Sequence, residues 1–549
     1  MGLGVVRAGA LAVLLAIAAG GCGDLRRTSD IPAAPKLVLF IAIDGLPERQ
    51  LMAHRDQLAP DGFRRFLDRG AWFSEARYGH AYTVTAAGHA AMLTGAYPHR
   101  TGIIANAWLD PVTGETTNCV GDTRYTYLGN ATQPLDGTSP ANLRVETLGD
   151  VLRHAHAASK VIAISGKDRG AILVAGKAGT AYVYMARSGE FASSTYYMQT
   201  HPAWVQAFNV AKPADRYFHA EWRALLPEGA YAGSLPDDEP WFRKKVSLPM
   251  TIGAESATPD AAFHTALLMS PFIDALSLDF ARAAIRGESL GGGDGPDILA
   301  VSLSGHDYVN HSFGAESRFS HDHLLQLDRQ LDAFFRDVDA MVGRDRYVAV
   351  LTSDHGYMPA VDYRRALGEP SGRVDATATV DRINGTLAAR FGEGKWVKAL
   401  SGRSLLLDRA LAAQRGLDLD VLAEEVRRVA LEDPGIVAAY TRRELLDGSR
   451  AGAPFFAAVR NAYDPERSGD VQFVLAPYWM LGSGDVATHG SPYEYDTHVP
   501  MLFWGPAWVT PGRVDAPVEV VDIAPTLAKI LGVPTPAASE GRLLPIVVH

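Results

Sequence analysis

Acidic and histidine side chains recur beside apolar segments along this chain of 549 residues. They are Asp44, Asp307, His311, Asp354, His355 and His489. Taken singly, each is typical of a surface, capping or core position. Together, carboxylates and imidazoles without a thiolate form a ligand set that suits zinc or a similar borderline metal better than calcium or magnesium. The set therefore indicates a metal site.

The spacing of these residues supports that interpretation. Asp307 and His311 are four residues apart, directly after an apolar run. If the chain becomes helical there, both side chains face the same way and can bind one ion. Asp354 and His355 are adjacent after another apolar run, where a loop can direct both inward. Six such residues near one edge of a sheet are hard to explain as surface positions.

Thr85 is the candidate nucleophile. It precedes residues 86–93, a run typical of the first turns of a helix that ends near Gly95. A hydroxyl at a helix N-terminus lies beside unpaired backbone N–H groups and the positive end of the helix dipole. Both favour an alkoxide and a bound anion. The simpler alternative is that Thr85 only caps the helix, which is the common role of threonine there.

Five apolar runs rich in branched residues predict the strands that position these side chains. They comprise residues 36–43, 160–164, 297–303, 346–351 and 500–504. Such runs are typical of strands buried on both faces, and amphipathic helices, most clearly residues 317–342, lie between them. The alternation predicts an α/β fold with a doubly wound, mostly parallel sheet flanked by helices. Ligands bind beyond the carboxyl ends of such strands.

The first 22 residues predict export of the protein. Arg7 precedes an apolar stretch, residues 10–19, which is too short to span a bilayer. Gly20, Gly21 and Cys22 then resemble a bacterial lipoprotein signal, which implies a lipid anchor on Cys22 and a periplasmic or cell-envelope location. Ordinary secretion with cleavage nearby is the alternative, since Ala19 stands where leucine is usual.

The composition of the remaining chain indicates its domain organisation and excludes some classes of function. Residues 23–35 form a linker, and residues 36–549 form one catalytic domain with insertions at about 170–265 and 363–472 that we expect to cap the site. A net charge of −10 without a Lys/Arg-rich block argues against a nucleic-acid-binding surface. The two cysteines, Cys22 and Cys119, exclude a disulfide framework.

These segments together resemble the alkaline phosphatase superfamily, and the resemblance extends from about residue 36 to the C-terminus. It implies two Zn²⁺ ions per chain and a phosphothreonine intermediate on Thr85. One zinc would be bound by Asp307, His311 and His489, and the other by Asp44, Asp354, His355 and the Thr85 oxygen. Ser302 stands where better-known bacterial members have the glutamate of a magnesium site, so no obligatory magnesium is expected.

Three further residues distinguish the branches of that superfamily. Sulfatases need a Cys/Ser-x-Pro-x-Arg motif, which the segment from Thr85 to His89 lacks. Nucleotide pyrophosphatases and phosphodiesterases share the threonine and an asparagine, matched here by Asn106. Lys167 and Arg169, after the second predicted strand, resemble the phosphate-irrepressible (PafA-like) monoesterases, in which Asn, Lys and Arg bind the transferred phosphoryl group. The alternative for this pair is a solvated turn.

The resemblance therefore predicts an exported alkaline phosphatase that hydrolyses small phosphate monoesters. A phosphodiesterase or nucleotide pyrophosphatase of the same fold is one alternative. A non-catalytic lipoprotein that binds phosphorylated ligands is another, although no ligand residue or nucleophile is missing. We expect structural roles for His80, His89, His321 and His323, whereas His306 could reach the surroundings of the metal site.

Overall fold

The computed structural model describes residue 1 and residues 33–242, 245–482 and 484–546. The predicted leader and Cys22 lie outside the described residues. No single helix in the described part is long and apolar enough to cross a membrane, and only the bent pair Ala261–Leu267 and Pro271–Glu288 together meets that length and composition.

Two sheets contain the strands that matter for the site. In chain order these strands are β1 (Leu37–Ile43), β2 (Ala71–Phe73), β3 (Val161–Ser165), β4 (Thr180–Met185), β5 (Glu190–Ala192), β6 (Asp297–Leu303), β7 (Tyr347–Thr352), β8 (Val397–Ser401), β9 (Ser404–Leu407), β10 (Ile436–Thr441), β11 (Val471–Leu475), β12 (Met501–Trp504) and β13 (Gly512–Val514).

The main sheet has nine strands in the order β13-β2-β12-β7-β1-β6-β3-β4-β5. Its strands run parallel except β12 and β5, which are antiparallel to their neighbours. The predicted α/β class and the mostly parallel sheet are confirmed. The last predicted strand, β12, is the exception, because the chain reaches it from the carboxyl edge of the sheet and has to run back.

Helices cover both faces of this sheet. They are α1 (Thr85–Thr94), α2 (Leu148–Ala155), α3 (Asp168–Ala175) and α9 (Ile523–Leu531) on one face, and α4 (Pro271–Glu288) and α6 (Arg318–Val338) on the other, with α5 (Gly305–Phe313) at the sheet edge and α7 (Ala376–Phe391) and α8 (Leu419–Ala430) outside it. In β1, Phe40 packs into one core and Ile41 into the other, so alternate residues are buried on opposite faces. This explains the unbroken apolar runs.

The strand register aligns the ends that carry the polar residues. Ile43 of β1 pairs with Leu303 of β6, and Ala42 pairs with Thr352 of β7. Ser302 of β6 pairs in turn with Ser165 of β3. The residues that follow these four strands therefore leave the sheet side by side at its carboxyl edge.

The two predicted insertions differ in structure. Within the first, predicted at about residues 170–265, β4 and β5 belong to the main sheet. The remainder packs on α4 and α6, with Trp204 against Phe280 and Trp222 against Phe319. The second insertion contains a separate antiparallel sheet, β8-β9-β11-β10, with its own apolar core, and it includes α7 and α8. We call it the cap.

Candidate active site

Thr85 is the first residue of α1, and its side chain is almost fully buried at 1% exposure. Val84 occupies the N-cap position, and no side-chain capping bond is formed there. The simpler alternative, a capping threonine, is therefore not realised. A Cβ on Gly88 would lie 2.1 Å from the Asp354 carbonyl oxygen, so glycine lets the first turn of α1 lie directly against the loop after β7.

Asp307, His311 and His489 form the first ligand group. One donor atom from each lies within 4.8 Å of the others. Asp307 Oδ1 is 3.4 Å from His311 Nε2 and 3.6 Å from His489 Nε2. Asp307 and His311 are both on α5, one turn apart, as their spacing predicted. His489 comes from the loop before β12.

Asp44, Asp354 and His355 form the second ligand group, which is fully buried. His355 Nε2 is 3.5 Å from Asp44 Oδ1 and 3.4 Å from Asp354 Oδ2. The His355 ring stacks on the His489 ring with centroids 3.4 Å apart. The two ligand groups are therefore immediate neighbours.

The three imidazoles share one orientation that suits metal binding. Each Nδ1 faces a backbone carbonyl: that of Ala487 at 3.2 Å for His311, Thr83 at 2.8 Å for His489 and Gly356 at 2.9 Å for His355. A carbonyl oxygen only accepts, so Nδ1 carries the proton and donates it. The lone pair of every Nε2 then faces its ligand group, which is the arrangement that orients histidine ligands on metals.

Several buried donor atoms of these groups have no hydrogen-bond partner in the described part of the chain. They are Asp44 Oδ1, Asp307 Oδ1 and His355 Nε2. Burial and the adjacent Asp354 carboxylate raise the pKa of Asp44 well above its usual value. Unpartnered buried carboxylates are costly, and divalent cations would remove that cost. Both groups fit cations that accept nitrogen and oxygen ligands.

Lys167 lies between the two ligand groups. Its Nζ is 2.8 Å from Asp44 Oδ2 and 2.5 Å from Asp307 Oδ2, and only 4% of the residue is exposed. Burial opposes the charge, but Asp307 and Asp44 outweigh it and raise the pKa of Lys167 above its usual range. Lys167 is thus a buried, protonated cation, which contradicts the alternative of a solvated turn.

Asn106 and Arg169 flank the same edge. Asn106 Oδ1 accepts from the backbone N–H of Ala86, 2.9 Å away, so its amide is held beside the first turn of α1 and its Nδ2 remains a donor. Arg169 is in the first turn of α3, 3.6 Å from Asp168, and its buried Nε has no partner among the described residues. Asn106, Lys167 and Arg169 can thus supply donors to an anion.

His89 is a site residue that the sequence analysis assigned only a structural role. Its Nδ1 lies 2.8 Å from the Thr85 carbonyl oxygen and 3.2 Å from Asp354 Oδ2, while its Nε2 faces Ser302 Oγ at 2.8 Å. Both neighbours of Nδ1 only accept, so Nδ1 is protonated. His355 and His89 overcome the effect of burial and hold the pKa of Asp354 below its usual value. His89 lies four residues after Thr85, one helical turn away, and this spacing is the feature of the sequence that could have identified it as a site residue.

We expect His89→Ala to weaken divalent-metal affinity by about 10- to 100-fold, because His89 orients a carboxylate of the second ligand group. Competition with a chelator measures this. His89→Asn, whose amide can replace the Nδ1–H donor, should recover part of the loss, and alanine at the exposed His154 should change nothing. Wild-type metal affinity in His89→Ala would show that the contact is only packing.

His306 and His321 contact side chains outside the two ligand groups. His306 Nε2 faces Gln50 Oε1 at 2.9 Å, and its Nδ1 faces the ring of His323 at 3.2 Å. His321 contacts Gln57 and Ser234. Both ring nitrogens of His306, which directly precedes Asp307 in the chain, are thus engaged in a buried network.

Comparison with known proteins adds a family relationship. Residues 38–493 match the family model described as type I phosphodiesterase / nucleotide pyrophosphatase. The alkaline phosphatase PafA of Elizabethkingia meningoseptica is 31% identical, covering 95% of this chain and 96% of that protein. A Myroides odoratus protein named calcium-transporting ATPase is 32% identical over 92% and 93%. The alkaline phosphatase PhoV of Synechococcus elongatus is also 32% identical, over 93% and 92%.

Comparison with solved structures gives the same relationship. The crystal structure of wild-type PafA superposes with a TM-score of 0.87 at 30% identity and covers 94% of this chain and 100% of that one. A PafA variant with substitutions at a Thr, an Asn, a Lys and an Arg superposes with a TM-score of 0.88 at 29% identity over the same shares.

Proposed function

This chain belongs to the type I phosphodiesterase / nucleotide pyrophosphatase family and is a phosphoric monoester hydrolase of its PafA-like alkaline phosphatase branch, and we propose that it works through a phosphothreonine on Thr85 with two zinc ions bound. The observation that carries the proposal is the position of Thr85, at the start of a helix that lies against the loop of the second ligand group. The PafA variant is substituted at a Thr, an Asn, a Lys and an Arg. These are the residue types of the nucleophile and the three anion-binding residues proposed here.

The proposed reaction has two displacements at phosphorus. Thr85 Oγ1 gives up its proton to solvent and forms a bond to phosphorus, while the bond to the leaving oxygen breaks and that oxygen takes up a proton. Water then forms a bond to phosphorus, the bond from phosphorus to Thr85 Oγ1 breaks, and Oγ1 takes up a proton as hydrogen phosphate leaves. Two zinc ions, held by the first and second ligand groups, would lower the pKa of the attacking hydroxyl and offset the charge on the apical oxygens. The proposal includes no magnesium site, because Ser302 stands where better-known bacterial members of the superfamily have the glutamate of such a site.

Asn106, Lys167 and Arg169 would bind the oxygens that do not react. A monoester dianion carries more charge on these oxygens than a diester does. Lys167 acts as a point charge and Arg169 as a planar fork of donors. Because both are buried or partly buried, their attraction for the transferred group is weakened little by solvent. This arrangement favours monoesters.

The test is to compare hydrolysis of nitrophenyl phosphate, its methyl diester and nitrophenyl sulfate by the zinc-loaded protein. We expect the highest kcat/KM for the monoester. Lys167→Ala and Arg169→Ala should each lower it by about 100-fold or more for the monoester and clearly less for the diester. Alanine at the exposed Lys177 is the matched control and should leave all three values unchanged.

Three results would contradict the proposal. A higher kcat/KM for the diester would make the protein a phosphodiesterase of the same fold. Equal losses on both phosphate substrates would mean that Lys167 and Arg169 do not distinguish the dianion. Absence of turnover on every substrate with zinc bound would support the non-catalytic alternative.

We also propose that the protein is exported to the bacterial cell envelope and anchored through Cys22. The charged and apolar leader that ends in Gly-Gly-Cys supports this. Fractionation of cells producing wild-type and Cys22→Ser proteins tests it: recovery of both in the same soluble fraction would rule out the lipid anchor.

A further inference from the structure

A cavity of about 210 Å³ opens between the body of the protein and the cap. Val84, which directly precedes Thr85, and His489 of the first ligand group are among its lining residues. Ser401, Arg403 and Leu406 line it from the cap. A group attached to a phosphate at Thr85 could therefore enter this cavity, which we call the cap cavity.

One wall of the cap cavity is apolar and aromatic. Ile104, Trp108 and Leu109 contribute to it, and Trp108 is only two residues beyond Asn106. The Arg467 guanidinium lies 5.1 Å from the centre of the Trp108 ring and donates to the carbonyls of Gly102 and Asn142 at 2.6 and 2.8 Å. Trp108 is thus fixed in place, as a rigid wall for a flat ligand needs.

The volume of the cap cavity suits a ring. An apolar cavity of about 150 Å³ can hold benzene, so about 210 Å³ leaves space for one ring and a substituent.

The charged side chains that line the cap cavity are arginines. They are Arg403 and Arg467, and no aspartate or glutamate lines the cavity, although the chain carries a net charge of −10. Arg467 is engaged by carbonyls, whereas half-buried Arg403 has no hydrogen bond or ion pair from its guanidinium within the described part of the chain. A Cβ on Gly490 would lie 3.8 Å from Arg403 Nη2, which places that guanidinium beside the residue after His489.

We propose that the cap cavity binds the leaving group, and that it favours phosphate monoesters whose alcohol carries an aromatic ring with a negatively charged substituent. The ring packs on the apolar wall that contains Trp108, and the anion pairs with Arg403. A half-buried guanidinium that forms no ion pair among the described residues gains from such a substituent, since a charge-assisted hydrogen bond there is shielded from water. The inference rests on the proposed monoesterase activity and adds the substrate class.

Three substrates whose alcohols have similar acidity test the proposal: ethyl phosphate, 2-phenylethyl phosphate and its para-carboxylate. Their phosphoryl groups are equally reactive, so differences in kcat/KM report the leaving-group pocket. For the wild-type protein we expect about a tenfold gain from the ring and about another tenfold from the carboxylate.

Variants assign these gains to residues. Arg403→Met should bring the ratio between the carboxylated and the plain ring substrate close to one, Arg403→Lys should restore part of it, and Trp108→Ala should lower the ratio between 2-phenylethyl and ethyl phosphate. Arg443→Met, at an exposed arginine of the cap, is the matched control and should keep both ratios.

Equal kcat/KM for the three substrates in the wild-type protein would overturn the cavity proposal and leave the monoesterase proposal standing. This comparison uses the wild-type protein alone, so it does not depend on whether a variant folds. A carboxylate preference that survives in Arg403→Met would also overturn it. Failure to hydrolyse any of the three, with the methyl nitrophenyl diester still cleaved, would instead refute the monoesterase proposal.

Discussion

Replacing Thr85 with alanine should lower kcat for nitrophenyl phosphate by about 10⁴-fold or more, because it removes the atom that forms the covalent bond to phosphorus. The fold should persist, since the Thr85 hydroxyl makes no capping bond to α1. Circular dichroism and zinc analysis of the same preparation separate loss of the nucleophile from loss of structure or metal.

Thr85→Ser is the matched control for this prediction. It keeps a hydroxyl at the first position of α1 and should retain substantial activity. Activity of Thr85→Ala within about tenfold of the wild-type protein would show that water attacks the substrate directly, and the phosphothreonine would then have to be abandoned.

Removing the metal should abolish activity to a similar extent, and zinc should restore it at about two ions per chain. The reason lies in the ligand groups, where buried carboxylate oxygens lack hydrogen-bond partners in the described residues and each histidine has its Nε2 free. Elemental analysis and activity regain after dialysis against a chelator measure both quantities.

Single ligand substitutions refine that prediction. His489→Ala in the first ligand group and His355→Ala in the second should each lower the zinc content to about one ion per chain, whereas His154→Ala, on the surface, should not. Full activity with only calcium or only magnesium bound would contradict the assignment of zinc.

Much of this architecture could be predicted because the strands are buried on both faces. Their unbroken apolar runs mark β1, β3, β6 and β7 within a residue or two, and polar residues follow each. Parallel strands bring their carboxyl ends together, so local sequence sufficed to place Asp44, Asp307 and Asp354 at one edge.

The parts that could not be predicted depend on tertiary packing. The direction of β12 follows from the loop that carries His489, which no local pattern reveals. His89 resembles any other helical residue until α1 packs against the Asp354 loop. The cap cavity likewise exists only where Trp108 and Arg403, which are far apart in the sequence, line the same space.

The most direct test is to quench the zinc-loaded enzyme in acid during turnover of nitrophenyl phosphate and to map its peptides by mass spectrometry. The account predicts one added phosphoryl group on the peptide that contains Thr85, and none in Thr85→Ala. An unmodified Thr85 peptide at every quench time while phosphate is released at the full rate, or a phosphoryl group on another residue, would contradict it.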